Sequence, residues 1–356
     1  MQKGFPGADY RGRIHPNRRD AQPKPNAGQR RMRVDKSMLI IGGSGFVGSH
    51  LVPAALAAHY RVTVLNRGNC PQRSKNVIQL IADRNDDAQM VTAARNSTSF
   101  DVVIDTSSYN WRHSRLAWST FSEKTSHWIH LSSAAVYQEE SRCPSEDQKI
   151  GGASVWGDYG IEKSEAEEFL VGQSTNCPVT ILRPPYLYGS GNDNDRETFI
   201  WSRCLQGRPV VVPGSGKTEI QFLHIDDLAA CFLSVANVRP TTVDIFNVAG
   251  DERISLTDWV RLAAEVGGFA DPGVIAGDEA VGFMPRQYFP FRDYPCCVEV
   301  RFIKEKLGWR ARLDLRSGLE ATLASYTTDY LIACSKVSAA EETIAARIAQ
   351  RPRKET

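Results

Sequence analysis

A tyrosine and a lysine spaced four residues apart, Tyr159 and Lys163, are the residues of this sequence best suited to acid-base chemistry. At this spacing two side chains share one face of a helix and can interact. An ammonium group stabilises a neighbouring phenolate, so we expect Lys163 to lower the pKa of Tyr159. A phenol tuned in this way can transfer a proton during a reaction, and the hydroxyl of Ser133 could hold the substrate oxygen beside it. The three residues predict an acid-base site.

A glycine-rich loop earlier in the chain has the composition of a phosphate-binding turn. Its sequence is Gly42-Gly43-Ser44-Gly45-Phe46-Val47-Gly48. The loop directly follows the apolar run Ser37–Ile41 and opens a helix, which is the context that dinucleotide binding requires. Gly42 permits a tight turn, Gly45 lets the backbone approach a pyrophosphate, and Gly48 lets helix and strand pack closely. The helix N-terminus then offers unpaired N–H donors to the phosphates, and the alternative is a structural turn without a ligand.

The residues after the second predicted strand bear on which dinucleotide would bind. An acidic residue here would accept hydrogen bonds from an adenosine ribose and repel a 2′-phosphate. Asn66 removes that repulsion and Arg67 could pair with the phosphate, which favours NADP over NAD. Asp83, after the third strand, is placed to meet the adenine edge, although a plain loop aspartate is an equal alternative. We also assign Thr106 and Ser107, after the fourth strand, to the cofactor site.

Short apolar runs alternate with helical segments through the first half of the chain and must position these residues. The predicted strands are Ser37–Ile41, Arg61–Leu65, Val77–Ile81, Asp101–Asp105, Trp128–Leu131 and Val179–Leu182, and the predicted helices include Phe46–Ala58, Ala88–Asn96 and one that begins near Tyr159. Strands alternating with helices predict an α/β fold with a parallel sheet covered on both faces. Right-handed crossovers then fix a doubly wound arrangement.

The pattern changes after Leu182 to longer loops, a strand at Pro209–Val212 and a helix at Thr257–Val266. We therefore predict a dinucleotide-binding domain at 37–185. A smaller C-terminal substrate-binding lobe at 186–332, with some return to the sheet, is expected to fold over the ligand crevice. Residues 333–356, which include a helix over Ala339–Gln350, are predicted to form an exposed helical tail.

Residues 1–36 form a basic leader whose composition differs from the rest of the chain. They carry ten Lys/Arg and three Asp/Glu, are rich in Pro, Gly and Asn, and lack hydrophobic periodicity, so we predict a disordered segment. A nucleic-acid-binding arm is one hypothesis. A solvated tail, or translation begun upstream of a true start at Met32, is favoured over it. Asp9, Asp20 and the absence of serine from the leader disfavour an organellar targeting role.

Bulk composition indicates an ordinary globular protein, with 42% hydrophobic and 24% charged residues. No apolar run approaches the roughly 20 residues that a membrane span needs, and no secretory pattern follows Met1. We therefore expect a cytoplasmic protein without membrane contact. The eight cysteines include no CxxC pair and no Cys/His spacing of a zinc site, so we expect reduced thiols and no metal.

From about Met38 to Tyr330 the chain resembles the extended short-chain dehydrogenases/reductases, the epimerase/dehydratase family. The resemblance lies in the order in which the glycine loop, Ser133 and the Tyr159/Lys163 pair follow one another along the chain. The resemblance implies a Rossmann fold. It also implies that Tyr159 is the acid/base, that Ser133 orients the substrate oxygen and that Lys163 binds the nicotinamide ribose.

Three later segments are similar to further motifs of that family. They are Leu182-Arg183-Pro184-Pro185-Tyr186-Leu187-Tyr188-Gly189, Phe222-Leu223-His224-Ile225-Asp226-Asp227 and Phe246-Asn247-Val248-Ala249-Gly250. The first of them borders the nicotinamide in the family, which implies a cofactor contact for Pro184 and a substrate contact for Tyr186.

Several positions depart from the family pattern and narrow the reaction. Ala134 and Ala135 stand where family 4,6-dehydratases carry an acid pair, so we do not expect dehydration of a sugar nucleotide. Ile220 stands where sugar-nucleotide members carry a diphosphate-binding arginine. Lys217 could take the place of that arginine in the substrate site, as a point charge that lacks the bidentate geometry of a guanidinium. Arg292, displaced from the family's second arginine, could still reach an anion, and an ordinary surface ion pair is the alternative.

The sequence also resembles a divergent branch of the family that includes the chloroplast stem-loop binding proteins, which are linked to RNA. The segments concerned are Phe289-Pro290-Phe291-Arg292-Asp293, Asn66-Arg67-Gly68 and Asp105-Thr106. Proteins of that branch lack the Tyr-x-x-x-Lys pair that this chain retains. Retained catalytic residues favour an enzyme with a small-molecule substrate over a nucleic-acid-binding protein.

The resemblance and its departures together imply an NAD(P)-dependent epimerase or oxidoreductase that acts on a sugar-like hydroxyl or ketone, with a nucleotide sugar as the leading substrate class. One alternative is an NADPH-dependent carbonyl reductase on a smaller substrate. The other is an RNA-binding protein on the same fold. Because the family often dimerises through the helix that carries the tyrosine and lysine, we also expect a homodimer.

Overall fold

The computed structural model describes residues 36–69, 74–139, 141–175, 177–192, 194–238, 240, 242–334 and 336–350. The prediction of a disordered leader falls on residues 1–35, which lie outside the described part of the chain. The strands are β1 Ser37–Ile41, β2 Arg61–Asn66, β3 Val77–Ile81, β4 Val102–Asp105, β5 Trp128–Leu131, β6 Val179–Arg183, β7 Tyr186–Tyr188, β8 Val210–Val212, β9 Glu219–His224, β10 Val243–Asn247, β11 Arg253–Ser255 and β12 Val274–Ala276.

The helices alternate with these strands in the first half of the chain and cluster in the second. They are α1 Phe46–Ala57, α2 Asp87–Arg95, α3 Trp111–Phe121, α4 Asp158–Gln173, α5 Glu197–Leu205, α6 Ile225–Ala236, α7 Leu256–Val266, α8 Arg301–Leu307, α9 Leu315–Leu323, α10 Thr328–Ala333 and α11 Ala339–Ala349. Side-chain caps set several of the helix starts. The Asp86 carboxylate accepts from Gln89 N at 3.0 Å before α2, and Ser255 Oγ accepts from Asp258 N at 3.1 Å before α7.

A seven-stranded parallel sheet confirms the predicted doubly wound α/β class, with the order β10-β6-β5-β4-β1-β2-β3. Strand β1 shows why its sequence reads as continuously apolar. Met38 and Ile40 pack into the core on one face, while Leu39 and Ile41 pack into the core on the other. Because both faces are covered, every residue of the strand is buried.

The C-terminal region contributes to two parts of the fold. It returns to the large sheet through β10, which pairs in parallel with β6. The rest forms a lobe around the three-stranded sheet β11-β9-β7 and the parallel pair β12-β8. Its core is aromatic, with the Phe222 and Trp259 rings stacked at 4.1 Å between centroids and Phe291 set edge-on to both. Both lobes lie within one compact unit of the chain.

The last helix, α11, corrects the prediction of an exposed helical tail. Ala340 and Ile344 are buried in the core of the C-terminal lobe. Arg203 donates to both carboxylate oxygens of Glu341, at 3.0 and 2.8 Å, and so anchors the start of the helix. The sequence of α11 is alanine-rich and weakly patterned, so its buried face was not apparent.

No helix in the described ranges is long and apolar enough to cross a membrane.

Candidate active site

The glycine loop joins β1 to α1 in a conformation that requires its glycines. Gly42 has φ of 92°, and a Cβ there would lie 2.6 Å from the Ser107 side chain. A Cβ on Gly48 would collide with the backbone of Gly42 and Gly43, so α1 can approach the loop only with glycine at this place. Gly45 precedes α1 without a side-chain cap, and a Cβ there would meet only the Gly42 carbonyl oxygen, at 3.9 Å. The first N–H groups of α1 therefore fit a phosphate, as a dinucleotide site requires.

Close packing of α4 onto the turn after β5 brings the predicted catalytic residues together. A Cβ on Gly160 would lie 2.5 Å from the Ala135 carbonyl oxygen, so glycine at 160 allows the contact. Ser133 begins that turn, and its Oγ accepts from Ala135 N at 3.2 Å. Tyr159 lies in the first turn of α4, where it is 41% exposed and forms part of a cleft wall. Lys163 follows one turn later and is buried.

The charges around Tyr159 and Lys163 differ from the sequence-based expectation. Desolvation of its hydroxyl raises the pKa of Tyr159, and the nearby Ser133 side chain opposes this rise. The pKa of Tyr159 is therefore raised overall, and its predicted lowering by Lys163 stays a prediction. The Lys163 Nζ donates instead to the Leu131 carbonyl oxygen at 2.8 Å. Burial lowers the pKa of Lys163 to about 8, although Asp105 attracts its charge.

A buried ion pair below the cleft was not anticipated from the sequence. Arg84, just after β3, donates to both carboxylate oxygens of Asp105 at 3.0 Å and to Ser107 Oγ at 2.6 Å. Asp105 is fully buried. On the neighbouring strand β5, burial of His130 and the positive charge of Lys163 lower the pKa of His130 to about 3, so His130 is neutral. The sequence did contain a signal for this ion pair, because the apolar run 102–105 ends in the carboxylate of Asp105 and a buried charge requires a partner.

The predicted adenosine-binding residues lie at the ends of β2 and β3. Asn66 Oδ1 accepts from Gly68 N at 3.0 Å and from Gln79 Nε2 at 2.8 Å, while its buried Nδ2 has no partner among the described residues. Arg67 is exposed. A hydrogen bond from Asn85 N and the charge of Arg67 lower the pKa of Asp83. Arg67 and Asp83 are therefore neighbours at this end of the sheet.

A cleft of about 480 Å³ lies between the glycine loop and the C-terminal lobe. It brings together most of the predicted residues, namely Gly42, Gly45, Phe46, Val47, Thr106, Ser107, Ser133, Tyr159, Lys163, Pro184, Tyr186 and Arg292. Ser44, Gly48, Asn66, Arg67 and Asp83 do not line it. Lys217 also lies elsewhere, in a separate surface depression with Arg253 and Cys297, so its predicted place in the substrate site is corrected.

The C-terminal lobe adds cleft residues that sequence reasoning missed, among them Arg196, Arg286 and Trp156. Arg196 immediately precedes α5, and Arg286 lies in the short 3₁₀ turn Pro285–Gln287. Neither belongs to a recognisable motif, so no signal in the sequence pointed to them. Ile220 is fully buried in the aromatic core of this lobe and contributes nothing to the cleft.

A buried arginine on β6 fixes the position of α4. Arg183 Nε and Nη2 donate to the Glu167 carboxylate, with the shortest contact at 2.6 Å, and Nη1 donates to the Tyr137 hydroxyl at 2.9 Å. Glu167 lies one turn beyond Lys163 on α4, and both partners of the ion pair are buried. The pair therefore connects α4 to β6, the strand that ends just before Pro184.

Replacing Glu167 by alanine should destabilise the protein by about 3–5 kcal/mol, because it leaves the buried Arg183 without a countercharge. The measurement is urea unfolding at neutral pH. Glu165→Ala is the matched control, since Glu165 is exposed on the same helix and should change stability by less than about 0.5 kcal/mol. Equal effects of the two substitutions would show that the ion pair does not hold α4.

Comparisons with known proteins agree with this geometry. The model of the NAD dependent epimerase/dehydratase family matches residues 38–249. The chain is 29% identical over 333 residues to the chloroplast stem-loop binding protein of 41 kDa b of Arabidopsis thaliana, with 85% of each chain covered. It is 23% identical to a putative UDP-glucose 4-epimerase of Methanocaldococcus jannaschii, which covers 80% of this chain and 96% of the relative.

Solved structures show the same fold. A UDP-glucose 4-epimerase with UDP-glucose from Thermotoga maritima superposes with a TM-score of 0.68 at 20% identity, covering 81% of this chain and 97% of that one. A UDP-glucuronic acid 4-epimerase from Bacillus cereus in complex with NAD gives a TM-score of 0.64 at 20% identity, with coverage of 84% and 100%. Together with the family match over more than half of its length, this establishes that the chain belongs to the NAD-dependent epimerase/dehydratase family.

Proposed function

We propose that this protein exchanges a hydride between a nicotinamide cofactor and a carbon of a sugar-like substrate that bears a hydroxyl or ketone. The observation that carries the proposal is the shared cleft. Ser133, Tyr159 and Lys163 line it together with Gly42 and Gly45 of the glycine loop. The relatives named as UDP-glucose and UDP-arabinose 4-epimerases support a nucleotide sugar as the leading substrate class.

The proposed roles follow from the position of each side chain. A bound nicotinamide would supply the hydride acceptor or donor. The Ser133 hydroxyl holds the substrate oxygen, and the Tyr159 hydroxyl, on the wall of the same cleft, takes up or releases the matching proton. Lys163 lines the same cleft, where its ammonium would bind the nicotinamide ribose. Return of the hydride to the opposite face of the carbon gives an epimer, whereas release of oxidised cofactor gives a net reduction.

The function is tested on the full chain as purified. Mass spectrometry of co-purifying small molecules should detect NAD or NADP. Incubation with UDP-glucose or UDP-galactose, followed by chromatography, should then show interconversion if the protein is an epimerase. A change in reduced-nicotinamide absorbance with carbonyl compounds would instead indicate the carbonyl reductase. Absence of cofactor binding together with absence of both activities would refute the proposal.

The residues at the adenosine end of the proposed cofactor site favour NADP over NAD. Asn66 places no negative charge there, its buried Nδ2 has no hydrogen-bond partner in the part of the chain that the structure describes, and Arg67 is exposed beside it. Arg67→Ala should raise the KM for NADP about tenfold through loss of a charge-assisted phosphate contact, and should leave the KM for NAD unchanged. The two KM values are measured by steady-state kinetics. Equal changes for the two cofactors would contradict the assignment of Arg67 to the 2′-phosphate.

RNA binding is a second candidate because of the likeness to the chloroplast stem-loop binding protein. The full chain and a chain shortened to begin at Lys36 are titrated with an RNA stem-loop at several salt concentrations. Salt-sensitive binding that persists in the shortened chain would support RNA recognition by the folded part. Binding that disappears with residues 1–35 would assign it to the basic leader alone.

Two expectations about the whole protein complete the proposal. We expect a homodimer formed through α4, whose Ile161 and Val171 are exposed apolar side chains, and light scattering in solution measures the mass directly. We also expect a cytoplasmic location, which fluorescence microscopy of the full-length protein fused to a fluorescent tag can check.

A further inference from the structure

A histidine on α1, His50, connects the two sides of the cleft. It lies one turn beyond Phe46, which lines the cofactor side, and the two rings meet edge-on at 6.0 Å between their centroids. The Nε2 atom of His50 contacts Ser190 in the segment 189–192, which follows β7 and places Asn192 in the cleft wall. One imidazole ring therefore joins the helix of the glycine loop to the part of the cleft that the C-terminal lobe contributes.

Both ring nitrogens of His50 lie within hydrogen-bonding distance of an acceptor. Nδ1 is 2.6 Å from Oδ1 of Asp226, and Nε2 is 2.9 Å from the Ser190 carbonyl oxygen. A carboxylate and a carbonyl group only accept, whereas a neutral imidazole carries a single N–H. With that proton on Nδ1, the lone pair of Nε2 would face the Ser190 carbonyl oxygen and could accept only from the Ser190 hydroxyl, at 3.4 Å. The two short contacts therefore require the doubly protonated, positively charged ring.

The groups around His50 favour that charge. Desolvation lowers the pKa of His50, but the hydrogen bonds to Asp226 and to the Ser190 carbonyl oxygen raise it by more, so the pKa lies above its ordinary value of 6.5. The hydrogen bond to His50 in turn lowers the pKa of Asp226, which stays ionised. His224 does not compete for the proton, because its Nδ1 accepts from the Asp226 backbone N–H at 3.2 Å and burial lowers its pKa. Asp227 is held by two backbone N–H groups after α8, at 3.1 and 3.0 Å, and α1 carries no second titratable side chain.

The segment 189–192 has two further side-chain contacts, both within the C-terminal lobe. Gly189 N donates to the Glu197 carboxylate at 3.1 Å, and Gly191 N donates to the Tyr326 hydroxyl at 3.0 Å. Burial raises the pKa of Glu197 to about 7, so its contact also responds to pH and requires a control of its own. These two contacts hold the segment to its own lobe, whereas His50 holds it to α1.

We propose that protonated His50 is a positioning residue, which tethers the segment 189–192 to α1 through Asp226 and the Ser190 carbonyl oxygen and so keeps Asn192 in the cleft wall. When the ring loses its proton at higher pH, it retains the bond to Asp226 and releases Ser190. The segment is then held by the C-terminal lobe alone. The inference rests on the proposed function only in taking the cleft as the active site, and it deepens that function by making the shape of the site depend on pH.

Amide hydrogen exchange of the full chain, followed by mass spectrometry at about pH 5.5 and about pH 8.5, tests the tether without requiring turnover. Measured rates are divided by the intrinsic exchange rates at each pH to give protection factors. In the wild type, protection of the segment 189–192 should fall about tenfold or more at the higher pH. In His50→Gln it should be low at both pH values. His59→Asn is the matched control, since His59 is an exposed histidine after α1 with φ of 63°, which asparagine tolerates, and it should behave as the wild type.

Two further variants separate the tether from other causes. Asp226→Asn leaves His50 unchanged but removes its countercharge, so protection of the segment should begin to fall at a lower pH than in the wild type. Glu197→Gln keeps an acceptor for Gly189 N but cannot ionise, and a pH dependence that persists in it would support His50 as the titrating group.

Loss of the pH dependence in Glu197→Gln would assign it to Glu197 and overturn the tether. Protection that does not change with pH in the wild type, or that changes equally in the wild type and His50→Gln, would also overturn it. Cofactor binding and hydride exchange are measured by separate assays, so their failure would leave this result intact, and the reverse also holds.

Discussion

Replacing Tyr159 by phenylalanine should lower kcat by about 100-fold or more while leaving cofactor affinity within about twofold of the wild type. The substitution removes only the phenolic oxygen, which is the atom proposed to move the proton. The ring remains on the cleft wall, so the shape of the site is conserved. Steady-state kinetics with the substrate found above, together with a cofactor titration, separates the two effects.

Tyr330→Phe provides the control for that substitution. Tyr330 is exposed and stacks on Tyr326 within the C-terminal lobe, at 4.9 Å between ring centroids, so removal of its hydroxyl should leave kcat unchanged. If Tyr159→Phe retained more than a tenth of the wild-type kcat, the hydroxyl would not be the acid/base. The proton would then have to move through Ser133 or another cleft residue.

Lys163→Met should produce the second large effect, a loss of turnover combined with a changed dependence of stability on pH. The Lys163 ammonium is 4% exposed and donates to the Leu131 carbonyl oxygen. Without it the proposed contact to the nicotinamide ribose is lost, and kcat/KM should fall about 100-fold or more through misplacement of the cofactor. The cofactor Kd should rise in the same variant, which distinguishes it from Tyr159→Phe.

The pH dependence follows from the direction of the Lys163 pKa shift. Burial lowers the pKa from 10.5 to about 8 in the folded protein. Between pH 8 and 10.5 the unfolded chain binds a proton at this lysine that the folded protein does not bind. Stability of the wild type relative to Lys163→Met should therefore rise with pH through this window, by at most about 1.4 kcal/mol per pH unit.

Urea unfolding of both proteins at pH 8 and 9.5, without added cofactor, measures that difference. The buried thiols and tyrosines titrate equally in the two proteins, so their contributions cancel in the comparison. Lys163→Ala serves as a second variant in case methionine packs poorly in the buried site. A difference in stability that is the same at both pH values in both variants would show that Lys163 titrates normally in the folded protein.

Several features of the site were predictable because local sequence fixes them. The six predicted strands all form and lie in one parallel sheet, since short apolar runs that alternate with helical segments favour a parallel sheet covered on both faces. Gly42 and Gly48 are required by backbone geometry within a few residues of themselves. Tyr159 and Lys163 share a helix, so their spacing along the chain determines their spacing in space.

Other features could not be predicted because they depend on contacts between distant parts of the chain. Arg84 and Asp105 meet across the ends of β3 and β4, and Arg203 meets Glu341 from the last helix. Arg286 reaches the cleft from a short turn without any motif. The direction of the Tyr159 pKa shift depends on desolvation and on neighbours such as Ser133 and Arg196, which spacing alone does not reveal.

The sequence by itself determined the doubly wound sheet, the glycine loop and the shared helix of Tyr159 and Lys163, because each of these follows from local backbone preferences or from spacing within one element. Only the tertiary structure decided which charges surround those residues. It placed Lys217 outside the cleft, brought Arg196 and Arg286 into it and turned Lys163 toward the Leu131 carbonyl oxygen. Side-chain charges act through space over several ångströms, so their effect is set by the packing of elements far apart in the chain.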